Sequence, residues 1–459
     1  MKILHYIHGL PPVRGGGLLV YALDLAEGEQ RMGNEVHLLV PGKFTTRFEK
    51  RTRIHSKNWE KFSCHYIINP LPVTEGAGIS GVECLAESGD INVYINFLQK
   101  ISPDIIHMHS LMGIHLAFFQ AAKKLSIPIL FTSHDYYGLC PKISLLRNGK
   151  MCDRNNWTMC AQCMEHIVSQ KKVKWKHSDI YYKIKKNKFY HWMEYSKILL
   201  PIKKYIKSII KKDKGENNQV KTEGVQGYNA LFAYYRQIYE YITYYHFNSN
   251  QSREVYESFL GEIRGQVIPI TNKRVRDNRR IYTFKDDKLR IGYLSSKQIF
   301  KGYPYLEEAL EAMYKKGMTG FECHIYFNPQ NVHCPYICSH AQYRENDMDA
   351  VFKGMDVLVM PSICKETFGM IVLEALSYGI PVIISSYVGA KELLEENQGM
   401  GIVIEVENLK EGLRTELERI YDDRRILSRM NRKICDWDRE WDFDKHVIKM
   451  IDLYHEISQ

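Results

Sequence analysis

Two glutamates eight residues apart are the side chains best placed to do chemistry on a polar ligand. Glu366 and Glu374 lie in PSICKETFGMIVLEAL, a mostly apolar segment spanning residues 361–376. The preceding run DVLVMPS is typical of a buried strand, and the pattern from Met370 onward predicts a helix. Glu366 is therefore expected at the mouth of this helix, with Glu374 roughly 8 Å further along its axis at about 1.5 Å per residue.

Carboxylates at these two points could hold hydroxyls at different positions of one extended ligand. The N-terminus of a helix that follows a parallel strand also presents free N–H groups to phosphate. Hydroxyl and phosphate recognition together indicate a nucleotide sugar. The alternative is that Glu366 is a charge at the start of a helix and Glu374 a surface residue.

Alternating strands and helices are predicted in two series, and these must position the glutamates. The first contains KILHYI, a helix over residues 18–32, EVHLLVP, DIIHMHS and IPILFTSHD. The second contains LRIGYL, ECHIYFN, DVLVMPS, IPVIISS and GIVIEV, with helices over residues 304–316 and 370–378. Continuous apolar strands between helices predict an α/β fold with two doubly wound, Rossmann-like domains. The first is expected over residues 1–270, with an insertion at about 140–244, and the second over residues 281–440. The basic stretch TNKRVRDNRR, residues 271–280, is the expected linker.

Composition excludes several classes of protein. The 459 residues are 45% apolar and 25% charged, with no run of about 18 apolar residues that could span a bilayer. The N-terminus resembles a first strand rather than a signal peptide, and eleven cysteines are typical of reduced thiols, so we expect a cytoplasmic protein.

The net charge of +10 is concentrated in one segment. Residues 166–250 contain 17 Lys and Arg against 6 Asp and Glu, so the remainder is near neutral, which argues against nucleic-acid binding. Within this segment, residues 198–212 have the pattern of a basic amphipathic helix. Such a helix either contacts an anionic membrane surface or packs on its own domain with a solvated lysine face.

The segment PSICKETFGMIVLEALSYGIPVI resembles the glutamate, seven residues, glutamate signature of retaining glycosyltransferases with the GT-B fold. The resemblance extends through LRIGYLSSKQIFKGYPYLEEAL, the N-terminal GGG loop and TSHDYYGLCP, and covers most of the chain. It implies a cleft between the two domains, with a C-terminal helix in residues 441–459 crossing back to the first. It also implies transfer of a sugar from a nucleotide-diphosphate sugar to a surface glycan, lipopolysaccharide or lipid-linked acceptor.

The resemblance implies roles for residues of the second domain. Glu366 would face the hydroxyls of the donor sugar, and Glu374 those of the ribose. The backbone around Thr367, Phe368, Gly369 and Met370 would contact the sugar and diphosphate.

Lys301 would stabilise the leaving diphosphate. Many relatives have an arginine five residues before this lysine, where the present chain has Ser296 followed by Lys297. Either Lys297 supplies that charge or the leaving group is held less strongly.

In the first domain, Gly16 and Gly17 belong to a glycine turn that lets a ligand approach the backbone; a tight turn is the alternative. His134 follows a predicted strand, and the resemblance places it beside the donor sugar, where it assists transfer. A capped core histidine is the alternative. His107 and His109 share one strand face and are interpreted as packing or cleft lining.

The resemblance implies no requirement for a divalent metal in catalysis. A GT-B sugar-nucleotide epimerase, a phosphorylase and a membrane-associated nucleotide-sugar-binding protein without turnover are the rival interpretations.

Four cysteines within 24 residues have the density of a structural zinc site; they are Cys140, Cys152, Cys160 and Cys163. Free or redox-active thiols are the alternative.

Overall fold

Two predominantly parallel sheets form the framework of the chain. The computed structural model describes residues 1–45, 51–74, 76, 78–79, 81–152, 157–164, 167–186, 222–284, 288–327, 334–343 and 345–459. The predicted basic helix at residues 198–212 lies outside these residues. In the described part of the chain, no helix combines the length and apolar character needed to span a membrane.

The first sheet has eight strands. They are β1 Lys2–Tyr6, β2 Glu35–Pro41, β3 Arg53–Ser56, β4 Ser63–Ile68, β6 Ile105–Met108, β7 Ile129–Thr132, β11 Tyr244–Phe247 and β12 Gly265–Val267. Their spatial order is β12-β11-β7-β6-β1-β2-β4-β3, and all are parallel except β3, which pairs antiparallel with β4. Two small two-stranded ladders join β5 Gly78–Ile79 to β10 Ile167–Val168, and β8 Leu146–Arg147 to β9 Lys150–Met151.

The second sheet has six parallel strands. They are β13 Leu289–Tyr293, β14 Phe321–Ile325, β15 Ile337–Ser339, β16 Val357–Met360, β17 Val382–Ser385 and β18 Gly401–Ile404. Their spatial order is β15-β14-β13-β16-β17-β18. The residues of β16 and β17 are all buried, as expected for parallel strands covered on both faces.

Helices accompany both sheets. Those of the first half are α1 Gly17–Arg31, α2 Ile91–Ile101, α3 Leu116–Lys124, α4 Trp157–Cys163, α5 Gln170–Lys176, α6 Asp179–Lys186, α7 Thr222–Glu240 and α8 Asn250–Leu260. Those of the second half are α9 Tyr303–Lys315, α10 Met348–Lys353, α11 Met370–Ser377, α12 Lys391–Glu396, α13 Leu409–Asp422, α14 Arg425–Asp436 and α15 Phe443–Ser458. The prediction of an α/β chain with two Rossmann-like domains is confirmed.

The C-terminal helix α15 packs against α1 of the first domain. Arg31 forms an ion pair with Asp444 at 2.7 Å, and the Tyr21 hydroxyl lies 2.9 Å from Nε2 of His446. The last residues of the chain therefore contribute to the interior of the first domain.

Candidate active site

Glu366 lies in the connection between β16 and α11. Its N–H donates to the carbonyl of Tyr387 at 2.8 Å, and its own carbonyl accepts from the N–H of Gly389 at 3.2 Å. Gly369, with a φ of 98°, is the N-cap of α11, and a β-carbon at this position would meet Val388 at 2.7 Å. These contacts fix the loop over the carboxyl ends of the strands.

The Glu366 carboxylate is paired with Lys301. Lys301 Nζ lies 2.6 Å from Glu366 Oε1, and the hydroxyl of Ser362 donates to the same oxygen at 2.9 Å. Burial lowers the pKa of the Lys301 ammonium, but attraction by Glu366 outweighs this effect and holds the pKa above its usual value. The structure thus brings together two residues that are 65 positions apart in the sequence and were predicted to share a site.

Gly302 explains why a glycine follows Lys301. It has a φ of 77°, and a β-carbon at this position would lie 1.7 Å from the carbonyl oxygen of Pro361. No side chain fits in that space. The close approach of the two loops sets Lys301 beside the segment that carries Glu366.

Glu374 lies inside α11 and is buried, with 8% of its surface exposed. Burial raises the pKa of its carboxyl group to about 7, while the charge of Arg274 and a hydrogen bond from Asn272 lower it. The surface alternative for Glu374 is therefore wrong. The sequence analysis treated residues 271–280 only as a linker and missed these two contacts, although the density of arginine there was a usable signal.

His134 follows β7 and meets the second domain through its backbone. Thr367 Oγ1 donates to the carbonyl oxygen of His134 at 3.1 Å. Ser249 Oγ in turn donates to the carbonyl of Thr367 at 2.7 Å, and Gln251 Nε2 to that of Glu366 at 3.0 Å. His134 is thus a neighbour of the loop that carries Glu366, where the two domains meet.

The glycine turn precedes α1, which starts at Gly17. A β-carbon added to Gly16 or Gly17 would meet no atom within 4 Å, so the surrounding space is open to a ligand. Within α1, the Tyr21 ring lies 5.1 Å from that of His134, which places this helix beside the same site.

Lys297 is an exposed residue of the loop that precedes Lys301. Its exposed ammonium lies 5.4 Å from the centre of the Tyr303 ring, and the Ser296 carbonyl accepts from the Tyr293 hydroxyl at 2.8 Å. In this conformation the charge beside Glu366 comes from Lys301.

Tyr136 is a site residue that the sequence analysis missed. It is 2% exposed, and its hydroxyl has no hydrogen-bond partner among the described residues. Burial raises its pKa well above the usual value, and the nearby Cys364 and Glu366 side chains raise it further. The signal available was its position two residues after His134.

The four clustered cysteines share a neighbourhood without forming a tight cage. Cys140, Cys152 and Cys160 pack against the first-domain core, and burial raises the pKa of Cys140 to about 12, with smaller contributions from Cys160 and Cys152. In the part of the chain that the structure describes, two groups of metal-ligating side chains have atoms all within 4.8 Å of one another, and neither contains these thiols. Zinc binding by these residues and Cys163 therefore stays a prediction.

Comparison with known families and structures places this site in context. Residues 15–161 match the family model Glycosyltransferase Family 4, and residues 337–435 match Glycosyl transferases group 1, so that together they cover more than half of the chain.

Several solved structures share the whole fold. Sucrose-phosphate synthase from Thermosynechococcus elongatus is 14% identical and superposes with a TM-score of 0.57, over 99% of this chain and 98% of that chain. Anabaena HepE, determined in complex with UDP and glucose, is 12% identical with a TM-score of 0.57, over 99% of both chains. WaaG, a glycosyltransferase involved in lipopolysaccharide biosynthesis, is 12% identical with a TM-score of 0.56, over 98% of this chain and 99% of that chain.

A curated relative, an uncharacterized 42.6 kDa protein in the cps region of Klebsiella pneumoniae, is 41% identical over 54 residues. This match covers 12% of the present chain and 14% of the relative.

Proposed function

Since the chain belongs to the nucleotide-sugar-dependent glycosyltransferases of the GT-B type, we propose that it transfers a sugar with retention of anomeric configuration. The observation that carries this proposal is the Glu366–Lys301 pair, 2.6 Å apart, in a loop that contacts His134 of the other domain. A carboxylate for sugar hydroxyls and an ammonium for the diphosphate thereby meet at one point of the domain boundary.

Donor binding divides between the two ends of the glutamate signature. The buried Glu374 carboxylate accepts hydrogen bonds from the ribose hydroxyls, and the N–H groups at the start of α11 contact the diphosphate. Since the first N–H groups of a helix have no partner within the helix, they favour an anion. The backbone around Thr367, Phe368 and Met370 belongs to this end of the site.

Lys301 changes partner during the reaction in our proposal. The ammonium of Lys301 pairs with the negatively charged diphosphate of the donor. Glu366 is then free to accept a hydrogen bond from a hydroxyl of the donor sugar. The bond between the anomeric carbon and the diphosphate oxygen then breaks, and the acceptor oxygen bonds to the same face of the sugar. The acceptor proton passes to the departing diphosphate, so neither a carboxylate nucleophile nor a metal ion is required.

The acceptor we propose is a cell-surface glycan, a lipopolysaccharide or a lipid-linked sugar. The function stated for WaaG and the genomic setting of the Klebsiella relative support this class. The positive charge of residues 166–250 supports an acceptor carried on a phosphorylated lipid or an anionic membrane. The protein would contact such a membrane peripherally. All eleven cysteines are free thiols, which supports a cytoplasmic site of action.

Turnover measured with a panel of UDP-, GDP- and ADP-sugars tests the proposed activity. We expect one nucleotide class to be hydrolysed slowly alone and to be consumed faster, by sugar transfer, when a lipid-linked acceptor is present, and Glu366→Gln to abolish both reactions. Binding without any turnover would support a binding protein instead. Conversion of the donor sugar without an acceptor, or dependence on inorganic phosphate, would support an epimerase or a phosphorylase.

A further inference from the structure

A continuous chain of buried side chains runs inward from His134. His134 Nε2 lies 3.1 Å from His109 Nδ1, and His109 Nε2 lies 2.9 Å from His5 Nδ1. His5 Nε2 lies 2.6 Å from Glu29 Oε2. Since Glu29 and His5 are 0% exposed and His109 is 1% exposed, solvent does not supply partners for these groups.

The fold builds this chain from separate elements. His5 on β1 pairs in register with His107 on β6, and His109 follows β6 on the same face. Glu29 lies in the last turns of α1 and reaches the sheet from above. The side chains therefore meet because parallel strands and their covering helix are adjacent, although they are spread over residues 5 to 134.

The side chains of His134, His109, His5 and Glu29 form a first arm of hydrogen bonds. Glu29, at its inner end, fixes which nitrogen of each histidine donates and which accepts. Burial lowers the pKa of His109 and of His134 well below the usual value, with further lowering by neighbouring histidines, so both rings are neutral and carry one N–H each. The inner oxygen of Glu29 accepts from His5 Nε2–H, which leaves His5 Nδ1 to accept from His109 Nε2–H. His109 Nδ1 then accepts from His134 Nε2–H. His134 is thus left with an unprotonated Nδ1.

A second arm leaves the other oxygen of Glu29. It contains Glu29 Oε1 to Tyr454 Oη at 2.8 Å, Tyr454 to His107 Nδ1 at 2.7 Å, His107 Nε2 to Thr132 Oγ1 at 2.6 Å, Thr132 to His246 Nδ1 at 3.0 Å, and His246 Nε2 to the Ile268 carbonyl at 2.7 Å. Burial keeps the Tyr454 hydroxyl protonated by raising its pKa.

Glu29 joins the two arms. Its Oε1 accepts from the Tyr454 hydroxyl and its Oε2 lies against His5 Nε2, so both oxygens of a fully buried carboxyl group have partners.

The same ring nitrogens do not suit a metal ion as well as they suit protons. Nitrogens of His5, His107 and His109 lie within 4.8 Å of one another. Each of these rings already faces hydrogen-bond partners on both nitrogens, at 3.1 Å or less. A cation would have to displace several of these bonds.

We propose that Glu29 is a positioning residue for the transferase reaction, acting on His134 through His5 and His109. It holds His134 in one orientation and in the Nε2–H tautomer, so that Nδ1 meets the ligand as a hydrogen-bond acceptor. This inference depends on the proposed function for the role of His134 in transfer. Tyr454 extends the arrangement to α15, so the C-terminal helix takes part in fixing the site.

Selective ¹⁵N-histidine NMR of the ligand-free protein tests the inference directly, with His134→Gln used to assign the His134 signal. The expected result is a single tautomer at His134, protonated at Nε2, in the wild type and in Glu29→Gln. In Glu29→Gln the amide oxygen still accepts from His5, and the NH₂ faces the Tyr454 hydroxyl, whose oxygen can turn to accept from it. Glu29→Leu removes the acceptor for His5, and we expect a mixture of His134 tautomers. His109→Phe removes the ring between His5 and His134 and has the same expected result. It replaces the leucine variant if that variant does not fold.

Kinetics separate positioning from a structural role. Glu29→Leu or His109→Phe should lower kcat by roughly 10-fold or more with donor affinity changed less than about twofold, while Glu29→Gln should stay close to wild type. In the His134→Gln background the same substitutions should add no further loss. Protonation of His134 at Nδ1 in the wild type, or an unchanged tautomer in both disrupting variants, would overturn the inference. The NMR measurement does not require turnover, so a failure of this inference is distinguishable from a failure of the proposed function. The activity of His134→Gln tests the role of His134 in transfer separately.

Discussion

Replacement of Glu374 by glutamine should remove a pH dependence from donor binding. Burial raises the pKa of this carboxyl group to about 7. The ribose hydroxyls donate to the ionised form, so donor binding competes with the proton. About a tenth of the sites would be ionised at pH 6 and about nine-tenths at pH 8, which predicts roughly tenfold tighter donor binding at the higher pH.

Isothermal titration with the preferred nucleotide sugar measures both the affinity and the proton balance. At pH 7 the site releases about half a proton for each donor bound, which appears as a dependence of the enthalpy on the buffer. The donor itself has no group that titrates between pH 6 and 8. Burial also raises the pKa of Asp135 to about 6, so the glutamine variant is needed to assign the effect to Glu374.

At pH 8 we expect Glu374→Gln to bind the donor roughly tenfold less tightly or worse, because hydrogen bonds to a charged acceptor are the stronger ones. A 2′-deoxy donor should lose affinity in the wild type and little in the variant. Glu395→Gln, on an exposed surface, is the matched control. An affinity that is constant from pH 6 to 8 and unchanged by Glu374→Gln would refute the assignment to ribose.

The same substitution should stabilise the empty protein at high pH. The carboxyl pKa is raised from 4.5 in a free chain to about 7. The contribution of this group to folding stability is therefore most favourable below about pH 4.5 and is lost as the pH rises through 7. The full shift corresponds to about 3 kcal/mol. The unfolding temperature of Glu374→Gln should therefore exceed that of wild type at pH 8 and approach it at pH 5.

Three further predictions concern other parts of the site. His134→Ala should lower kcat by roughly 100-fold with an unchanged unfolding temperature, and full activity would remove His134 from the reaction. Lys301→Met should lower kcat and also leave Glu366 without its ion-pair partner, so a double variant with Glu366→Gln should have a higher unfolding temperature by calorimetry than Lys301→Met alone. Elemental analysis of protein purified without chelators should find about one zinc per chain, lost when the four clustered cysteines are changed to serine; less than a tenth of an equivalent in wild type would end the zinc prediction.

The strands that hold the site were predictable because they are continuous aliphatic runs. Val357–Met360 and Val382–Ser385 are buried on both faces. Strands in that position consist almost entirely of apolar residues, so their sequence pattern is easily recognised. Tyr244–Phe247 is equally buried, yet its sequence YYHF has no aliphatic residue and was not predicted as a strand. The Tyr245 hydroxyl and both ring nitrogens of His246 have hydrogen-bond partners outside the strand, which no local pattern reveals.

The resemblance implied that Glu366 and Lys301 share one site, but neither their ion pair nor the environment of Glu374 followed from it. Arg274 and Asn272 reach Glu374 from about 100 residues away, and that contact depends on how the linker crosses the second domain. Similarly, the position of His107 and His109 on one strand face was foreseen, but their connection to Glu29, through Tyr454 and His5 respectively, depends on the packing of helices over the sheet. Long-range packing, rather than propensity, decided both.

The central claim is that the Glu366–Lys301 pair and His134 form a site that transfers a sugar with retention. Its most direct test is the anomeric configuration of the first product, read from the ¹H coupling of the anomeric proton during turnover of an α-linked nucleotide sugar. We predict an α-linked product from the first detectable signal, and none with Glu366→Gln. A β-linked product would contradict the claim.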